Sequence, residues 1–293
     1  MSSLMKMSSG ERIFQCILIL FVTFLCIVTV YPFLHIASVS LSSPSEASRF
    51  GFHVYPRELD FFAWNQVLSQ TKIWIGFGNS VFRTIVGTAL SLIAMSLCAY
   101  PLSRKYLPHR SFYTMVILFT MFFGGGIIPT YLLMKSLHLM DTRWIYILPG
   151  LIPVFSMLVL RNFFMAIPTE LEESAKIDGA NDVSILFRII LPLSKPVLAT
   201  LALWAAVGHW NAWFDAVLYV TDQNKQVLQF FLREIVITNT DAETFGRTVV
   251  GNFEYTSSIK AATIMFAALP ILIVYPFLQK YFVKGTMIGS LKG

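Results

Sequence analysis

Residues 13–45 read IFQCILILFVTFLCIVTVYPFLHIASVSLSSPS, 33 residues without Asp, Glu, Lys or Arg. An α-helix rises 1.5 Å per residue, so about 20 apolar residues cross a hydrocarbon core of about 30 Å. Lys6 and Arg12 precede the stretch and Ala37 and Ser38 follow it, as around a secretory signal. Its apolar part, Ile13 to about Leu34, exceeds the roughly 7–15 residues of such a signal, so it reads as a retained span. Further charge-free windows lie at 84–103, 111–134, 144–160, 196–214 and 261–279, with 20, 24, 17, 19 and 19 residues. Lipid offers backbone N–H and C=O groups no partners, and a helix satisfies them within one segment. The expectation is an all-α, polytopic integral membrane protein. Its six transmembrane helices lie near 13–34, 80–102, 111–134, 144–165, 196–220 and 261–283.

Composition agrees with this reading. Of 293 residues, 56% are apolar and 13% charged, about half the roughly 25% charge of an ordinary soluble protein. Cys16, Cys26 and Cys98 sit in apolar runs without paired spacing, which excludes a disulfide framework and a zinc ribbon. The net charge of +6 raises nucleic acid as a partner, but its distribution points to a membrane instead. Twelve of the 22 Lys and Arg fall in 1–12, 102–110, 161–195 and 279–293. The positive-inside rule then puts both termini, 1–12 and the tail 284–293, in the cytoplasm. Outside, Asp60 to Leu68 carries apolar residues at helical spacing. That suits an amphipathic helix at the outer interface or one packed on the spans.

The loop between the fourth and fifth spans has unusual punctuation. It reads Ile167-Pro168-Thr169-Glu170-Leu171-Glu172-Glu173-Ser174-Ala175-Lys176-Ile177-Asp178-Gly179-Ala180. Thr169 with Glu172 forms a capping box, and Gly179 suits the left-handed position that ends a helix. Asn181 or Asp182 caps a second helix, Val183 to Ile190, stopped by Leu191-Pro192. The spacing predicts two short helices meeting at Asp178-Gly179-Ala180, a coupling-helix hairpin over 167–192 at the cytoplasmic face. A rigid protrusion there offers itself to a cytoplasmic partner.

These residues resemble the inner loop of the membrane subunits of binding-protein-dependent ATP-binding-cassette importers. That loop has the form Glu-Ala-Ala, three residues, Gly, nine residues, Ile, one residue, Leu-Pro. Here it is Glu173-Ser174-Ala175, Gly179, Ile189 and Leu191-Pro192, with Ser174 the one departure. Phe122 to Tyr131, Arg161-Asn162-Phe163-Phe164 and Gln279 to Gly285 are similar to the carbohydrate branch, within it to oligosaccharide permeases of the lipoprotein-named and polysaccharide-oligomer uptake systems. Some of those handle oligosaccharides built from uronic acids.

The resemblance implies a bacterial inner-membrane permease working with a second permease subunit, an ATPase dimer, an extracytoplasmic solute-binding protein and membrane lipid. It implies a non-catalytic chain, with ATP and Mg bound by the ATPase subunits. In agreement, no phosphate-binding Gly-x-x-x-x-Gly-Lys-Ser/Thr loop occurs, and Gly124-Gly125-Gly126 lies in an apolar segment where it permits a break or a close helix contact. Glu173, Ser174, Ala175, Asp178, Gly179 and Ala180 become the candidate ATPase-coupling residues, with Glu173 in a charge contact.

For the solute path, Gly208-His209-Trp210-Asn211-Ala212-Trp213-Phe214-Asp215 stands out, because ionisable residues within spans are functional candidates. Trp210 and Trp213 offer ring faces to sugars, and Asn211 and Asp215 offer hydrogen bonds. The alternative places Asp215 near the outer interface and the Trp rings in an interfacial belt. Arg83 falls at the start of the second span, where it snorkels to an interface. His35 and His138 have no metal-ligand spacing. Pro270 and Pro276 interrupt the sixth span as a kink or hinge. A self-sufficient secondary carrier or channel for a polar solute is the competing class, and it would need paired midplane ion sites. An intramembrane enzyme would need a nucleophile with a base, or a metal set.

Overall fold

The computed structural model describes residues 9–49, 51–237 and 257–290. Expectations that fall on 1–8, on 238–256 of the outer loop and on 291–293 lie outside these residues. Every regular element among them is helical, with one isolated bridge between Ser42 and Leu59. The chain divides into two compact units, Met1–Gln70 with Ile235–Ala268, and Thr71–Glu234 with Leu269–Gly293.

The first unit holds α1 (Ser9–Ser40), α2 (Pro44–Ala47) and α3 (Phe62–Ser69). Along α1 the large apolar side chains from Ile13 to Leu34 are exposed within the chain, as a surface solvated by lipid requires. Only its last turns turn inward, with Val39 packing against Ala47 and Ala261. Within α3, Ala63 and Val67 are buried at a spacing of four, which gives the helix one packed face.

The second unit is built around α4 (Thr71–Ser103), followed by α5 (Arg110–Phe122), α6 (Ile127–Ser136), α7 (Val154–Met165), α8 (Glu170–Ile177), α9 (Asp182–Ile185) and α10 (Leu191–Leu193). Next come α11 (Lys195–Asn211), α12 (Phe214–Tyr219) and α13 (Leu228–Ile237), of which Ile235 onward falls in the first unit; α14 (Ser257–Ser290) belongs to the first unit as far as Ala268 and to the second from Leu269. The helix α4 packs along both α7 and α11. Met95, Ala99 and Tyr100 of α4 join Met157, Leu160 and Phe164 of α7 and Leu201 of α11 in the main core. At Gly87 the α4–α11 seam is so close that a Cβ would lie 2.6 Å from His209 Nε2. Buried amide and hydroxyl groups fix the other end of α4. Asn79 donates to the carbonyls of Asn224 and Gln226, and Ser80 accepts from Leu228 N–H.

Among the described residues, three helical stretches are individually long and apolar enough to cross a membrane: Gly10–Ser40, Thr71–Ser103 and Ser257–Tyr275. Three more candidates are bent pairs, and counting each as one span gives six. The stretch 111–134 is two helices at 112°, broken at Phe123 to Gly126, where Gly126 takes φ +82°. Arg143–Gly150 meets Val154–Met165 at 53°, and Asp182–Leu193 meets Lys195–Asn211 at 84°. The stretch 196–220 also differs from a single helix: α11 ends at Asn211, Ala212 is extended, and α12 restarts at Phe214. In contrast, α14 runs unbroken through Pro270 and Pro276.

Candidate docking hairpin and membrane cavity

The hairpin begins with α8. Its end is a Schellman motif: Ala180 N–H donates to Ala175 C=O at 2.9 Å and Gly179 N–H to Lys176 C=O at 3.0 Å. Gly179 takes φ +80°, a conformation that costs other residues a Cβ–carbonyl clash. Asn181 then caps the next helix by accepting from Ser184 N–H at 2.8 Å.

Two local expectations are corrected. Thr169 makes no side-chain cap and is itself helical in backbone, its carbonyl accepting from Glu172 N–H at 3.0 Å and Glu173 N–H at 3.1 Å, while the Glu172 side chain is buried. And Leu191-Pro192 does not stop the second helix. The chain passes through a π-turn, Leu186–Ile190, into α10 before turning at Ser194. The wider turn accommodates a proline that lacks an N–H.

Glu172 is the anchor of the hairpin. Its carboxylate pairs with Arg104, just past the end of α4, and both side chains are about 95% buried. The Arg104 guanidinium lies over the Tyr100 ring, 4.9 Å from its centroid, and Tyr100 OH reaches Glu172 Oε2 at 3.4 Å. Burial pushes the Glu172 carboxyl above the ordinary value, opposed by Arg104, Lys176 and the Tyr100 hydrogen bond. A second clasp is at the surface. Lys176 Nζ bonds Asp182 at 3.1 Å and sits 4.6 Å from the Tyr106 ring centroid, and the Asp182 bond holds its ammonium above the ordinary value.

Of the candidate coupling residues, Ala175 and Ala180 pack against the main core, while Glu173, Ser174, Asp178 and Gly179 are exposed. Beside them stand unpartnered apolar side chains, Ile177 at 86% and Val183 at 63% exposed. A pinned hairpin that shows both a carboxylate and bare apolar surface has the character of a docking face.

The second site is a cavity of about 330 Å³ in the second unit. Arg83, Ser91, Tyr146, Trp204, His209 and Asp215 are among its lining residues. Arg83 is 4% exposed and does not snorkel. Because α4 starts at Thr71 rather than near residue 80, Arg83 lies three turns inside it. Its Nη1 donates to Asp215 Oδ1 at 3.0 Å and to Ala212 C=O at 3.2 Å, and Nη2 reaches Asp215 Oδ2. The break after α11 makes this possible, since a carbonyl freed from the helix ladder accepts from the cation. Tyr146 lies under the guanidinium at 4.9 Å and anchors its hydroxyl on Lys225 C=O at 2.9 Å.

The four sequence-derived path residues do not converge here. Asp215 lines the cavity, while Trp210 lines a separate apolar cavity of about 210 Å³ with Val81, Leu203, Pro270 and Tyr275. Asn211 returns its amide to Val207 C=O at 3.0 Å in its own helix. Trp213 is covered by Arg233, 3.6 Å from its ring centroid. Sequence reasoning missed Arg83, Tyr146 and Trp204. Arg83, an ionisable residue beside a charge-free window, was the one with a readable signal. No group of three His, Cys, Asp or Glu able to hold a metal occurs among the described residues.

Comparison with known proteins bears on both sites. Protein LplC of Bacillus subtilis (strain 168) is 43% identical over 289 residues, covering 99% of this chain and 98% of that protein. The polygalacturonan/rhamnogalacturonan transport system permease protein YtcP of the same organism is 41% identical, covering 97% and 99%. A chain of the crystal structure of a bacterial ABC transporter involved in the import of the acidic polysaccharide alginate superposes with a TM-score of 0.87 at 31% identity, covering 94% of this chain and 99% of that one. Residues 73–288 match the family described as binding-protein-dependent transport system inner membrane component, and the chain belongs to that family.

Proposed function

We propose that this chain is one of the two permease subunits of an ATP-binding-cassette importer that carries oligosaccharides, among them oligosaccharides built from uronic acids, across a bacterial inner membrane. The observation that carries the reading is the near full-length likeness to YtcP, named for polygalacturonan and rhamnogalacturonan, and to a chain of the transporter involved in the import of the acidic polysaccharide alginate. The partners are a second permease subunit, an extracytoplasmic solute-binding protein and an ATPase dimer that holds ATP and Mg, all within membrane lipid. Both termini are cytoplasmic, in keeping with the distribution of Lys and Arg.

The hairpin supplies the mechanical link. ATP draws the two ATPase subunits together, and Glu173, Ser174, Asp178 and Gly179, with Ile177 and Val183, ride on that motion. Glu172 and Arg104 transmit it to α4, which packs against α11 and so reaches the cavity. A surface ion pair at Glu173 is worth only about 0–1 kcal/mol, so its role is orientation. Ligand-loaded binding protein and ATP drive transport by stabilising the same conformation of the path. Asp215 contributes to that path, with Trp210, Asn211 and Trp213 on neighbouring surfaces.

The test is to purify the chain with its ATPase and carry Gly179→Pro or Glu173→Lys. Loss of association or of uptake is expected in each. Normal association and uptake in both variants would remove the docking role.

A further inference from the structure

We propose that Arg83 is a carboxylate-recognition site of the solute path, at which one edge of its guanidinium receives the carboxylate of a uronic-acid unit as an acidic oligosaccharide passes. The inference rests on the functional reading above and adds the residue and the chemistry by which acid is recognised within the membrane.

A guanidinium presents two edges able to hold a carboxylate by paired N–H donors. Asp215 takes the edge formed by Nη1 and Nη2. The other edge contains Nε, which is buried and has no hydrogen-bond partner among the described residues. A charged donor left without a partner in a low-dielectric interior is costly; Nε is covered in this conformation, and a second carboxylate satisfies it once the side chains closing over it give way. The surroundings suit such a ligand. About 330 Å³ is the low end of small-ligand pockets, enough for part of an oligosaccharide, and Tyr146, Trp204 and Tyr219 line it with aromatic surface while Ser156 and His209 add polar groups.

Asp215 sets the strength of the site. With two carboxylates sharing one cation, neither is held as tightly as it would be alone. A transport path needs such a site, favourable enough to enter and weak enough to leave. The side chain of Asp215 is 24% exposed against 5% for Arg83, so the acid is the member of the pair with room to shift.

The experiment uses the complete importer in vesicles, with a trimer of galacturonic acid and its methyl ester as solutes of equal length and unequal charge. The double variant Arg83→Gln with Asp215→Asn removes both charges at nearly constant volume and avoids a stranded buried ion. It is expected to lower the acid-to-ester uptake ratio about tenfold or more. Arg83→Lys keeps the charge without the paired edge and is expected to fall between the double variant and wild type. Asp215→Asn alone should lower both KM and kcat for the acid, because the waystation becomes a trap. An unchanged uptake ratio in the double variant, whether or not total uptake falls, would overturn the proposal. Wild-type vesicles that hydrolyse ATP but import neither trimer would overturn the functional reading, and the inference with it.

Discussion

Two buried arginine–carboxylate pairs sit toward opposite ends of α4, about 30 Å apart along a helix rising 1.5 Å per residue. Their chemistry is the same, and their surroundings are not. In the Arg104–Glu172 pair both side chains are 5–6% exposed, and Arg104 stacks on Tyr100 in a continuous core. In the Arg83–Asp215 pair the acid is 24% exposed and the cation lines a cavity of about 330 Å³. Both guanidiniums keep a buried Nε without a hydrogen-bond partner among the described residues, but Arg83 stands at the wall of the cavity while Arg104 stacks on Tyr100 in the core. Enclosure makes the first pair a fastener, and access to a cavity makes the second one a site.

The sharpest way to break the comparison is to delete the acid of each pair. Glu172→Ala leaves Arg104 buried and unpaired, a loss of about 3–5 kcal/mol in the docking of the hairpin. Hydrogen exchange of amides 170–185 in the purified complex should rise accordingly. Asp215→Ala should cost less, about 1–3 kcal/mol in thermal unfolding, because water entering the cavity solvates part of Arg83. Equal losses would mean that the cavity is as closed as the core. Replacing both partners, with Arg104→Met and Glu172→Leu, should recover most of the hairpin's protection, since an apolar pair restores packing without stranded charge.

The next effects separate the two ends of α4. Gly87→Ala puts a Cβ 2.6 Å from His209 Nε2, in the α4–α11 seam beside the cavity. The expected cost is about 1–3 kcal/mol, read as a lower Tm and relieved by His209→Ala in the same chain. Exchange in the hairpin should rise only slightly beside the loss at the seam, and no change at all would argue against α4 as the carrier of motion between hairpin and cavity. Gly179→Ala acts at the opposite end, where φ is +80° with no neighbour near an added Cβ. It should cost about 1 kcal/mol through backbone conformation alone, seen as faster proteolysis at 178–181 and little change in Tm.

The sequence made one of these ends far more legible than the other. Glycine, Asn and Pro punctuation exposed the hairpin, because turns and caps are set by residues adjacent in the chain. The inward turn of Glu172 was hidden: a Thr-x-x-Glu spacing fits a capping box, and Arg104 lies far away in sequence. Charge-free windows revealed apolar helices but misread their ends and their continuity. Arg83 and Arg104 delimit the window 84–103 that makes α4 start too late, whereas Asn79, Ser80 and Arg83 are all buried against partners between 212 and 228. Breaks at Phe123 to Gly126 and at Ala212 leave no trace in the count of charges, although three consecutive glycines flagged the first. The cavity depends on long-range packing of Tyr146 and Trp204, which periodicity cannot reveal.

The smallest effect concerns protons, and it distinguishes a fastener from an ordinary surface clasp. Burial raises the Glu172 carboxyl above its unfolded value even though Arg104 opposes the shift. The docked hairpin therefore binds more protons than the undocked one at pH between the unfolded value, about 4.3, and the higher docked value. The contribution of this group to docking is fullest below the unfolded value and is lost as pH rises through the docked value. Protection of amides 170–185 should decline gently from about pH 4 toward neutrality, opposite to the acid loosening expected of an exposed ion pair. Glu172→Gln holds the side chain neutral and should flatten the profile. A profile that instead rises with pH in wild type and flattens in Glu172→Gln would mean that Arg104 outweighs burial, which would make the pair an attraction that drives docking rather than a cost that close packing has to offset.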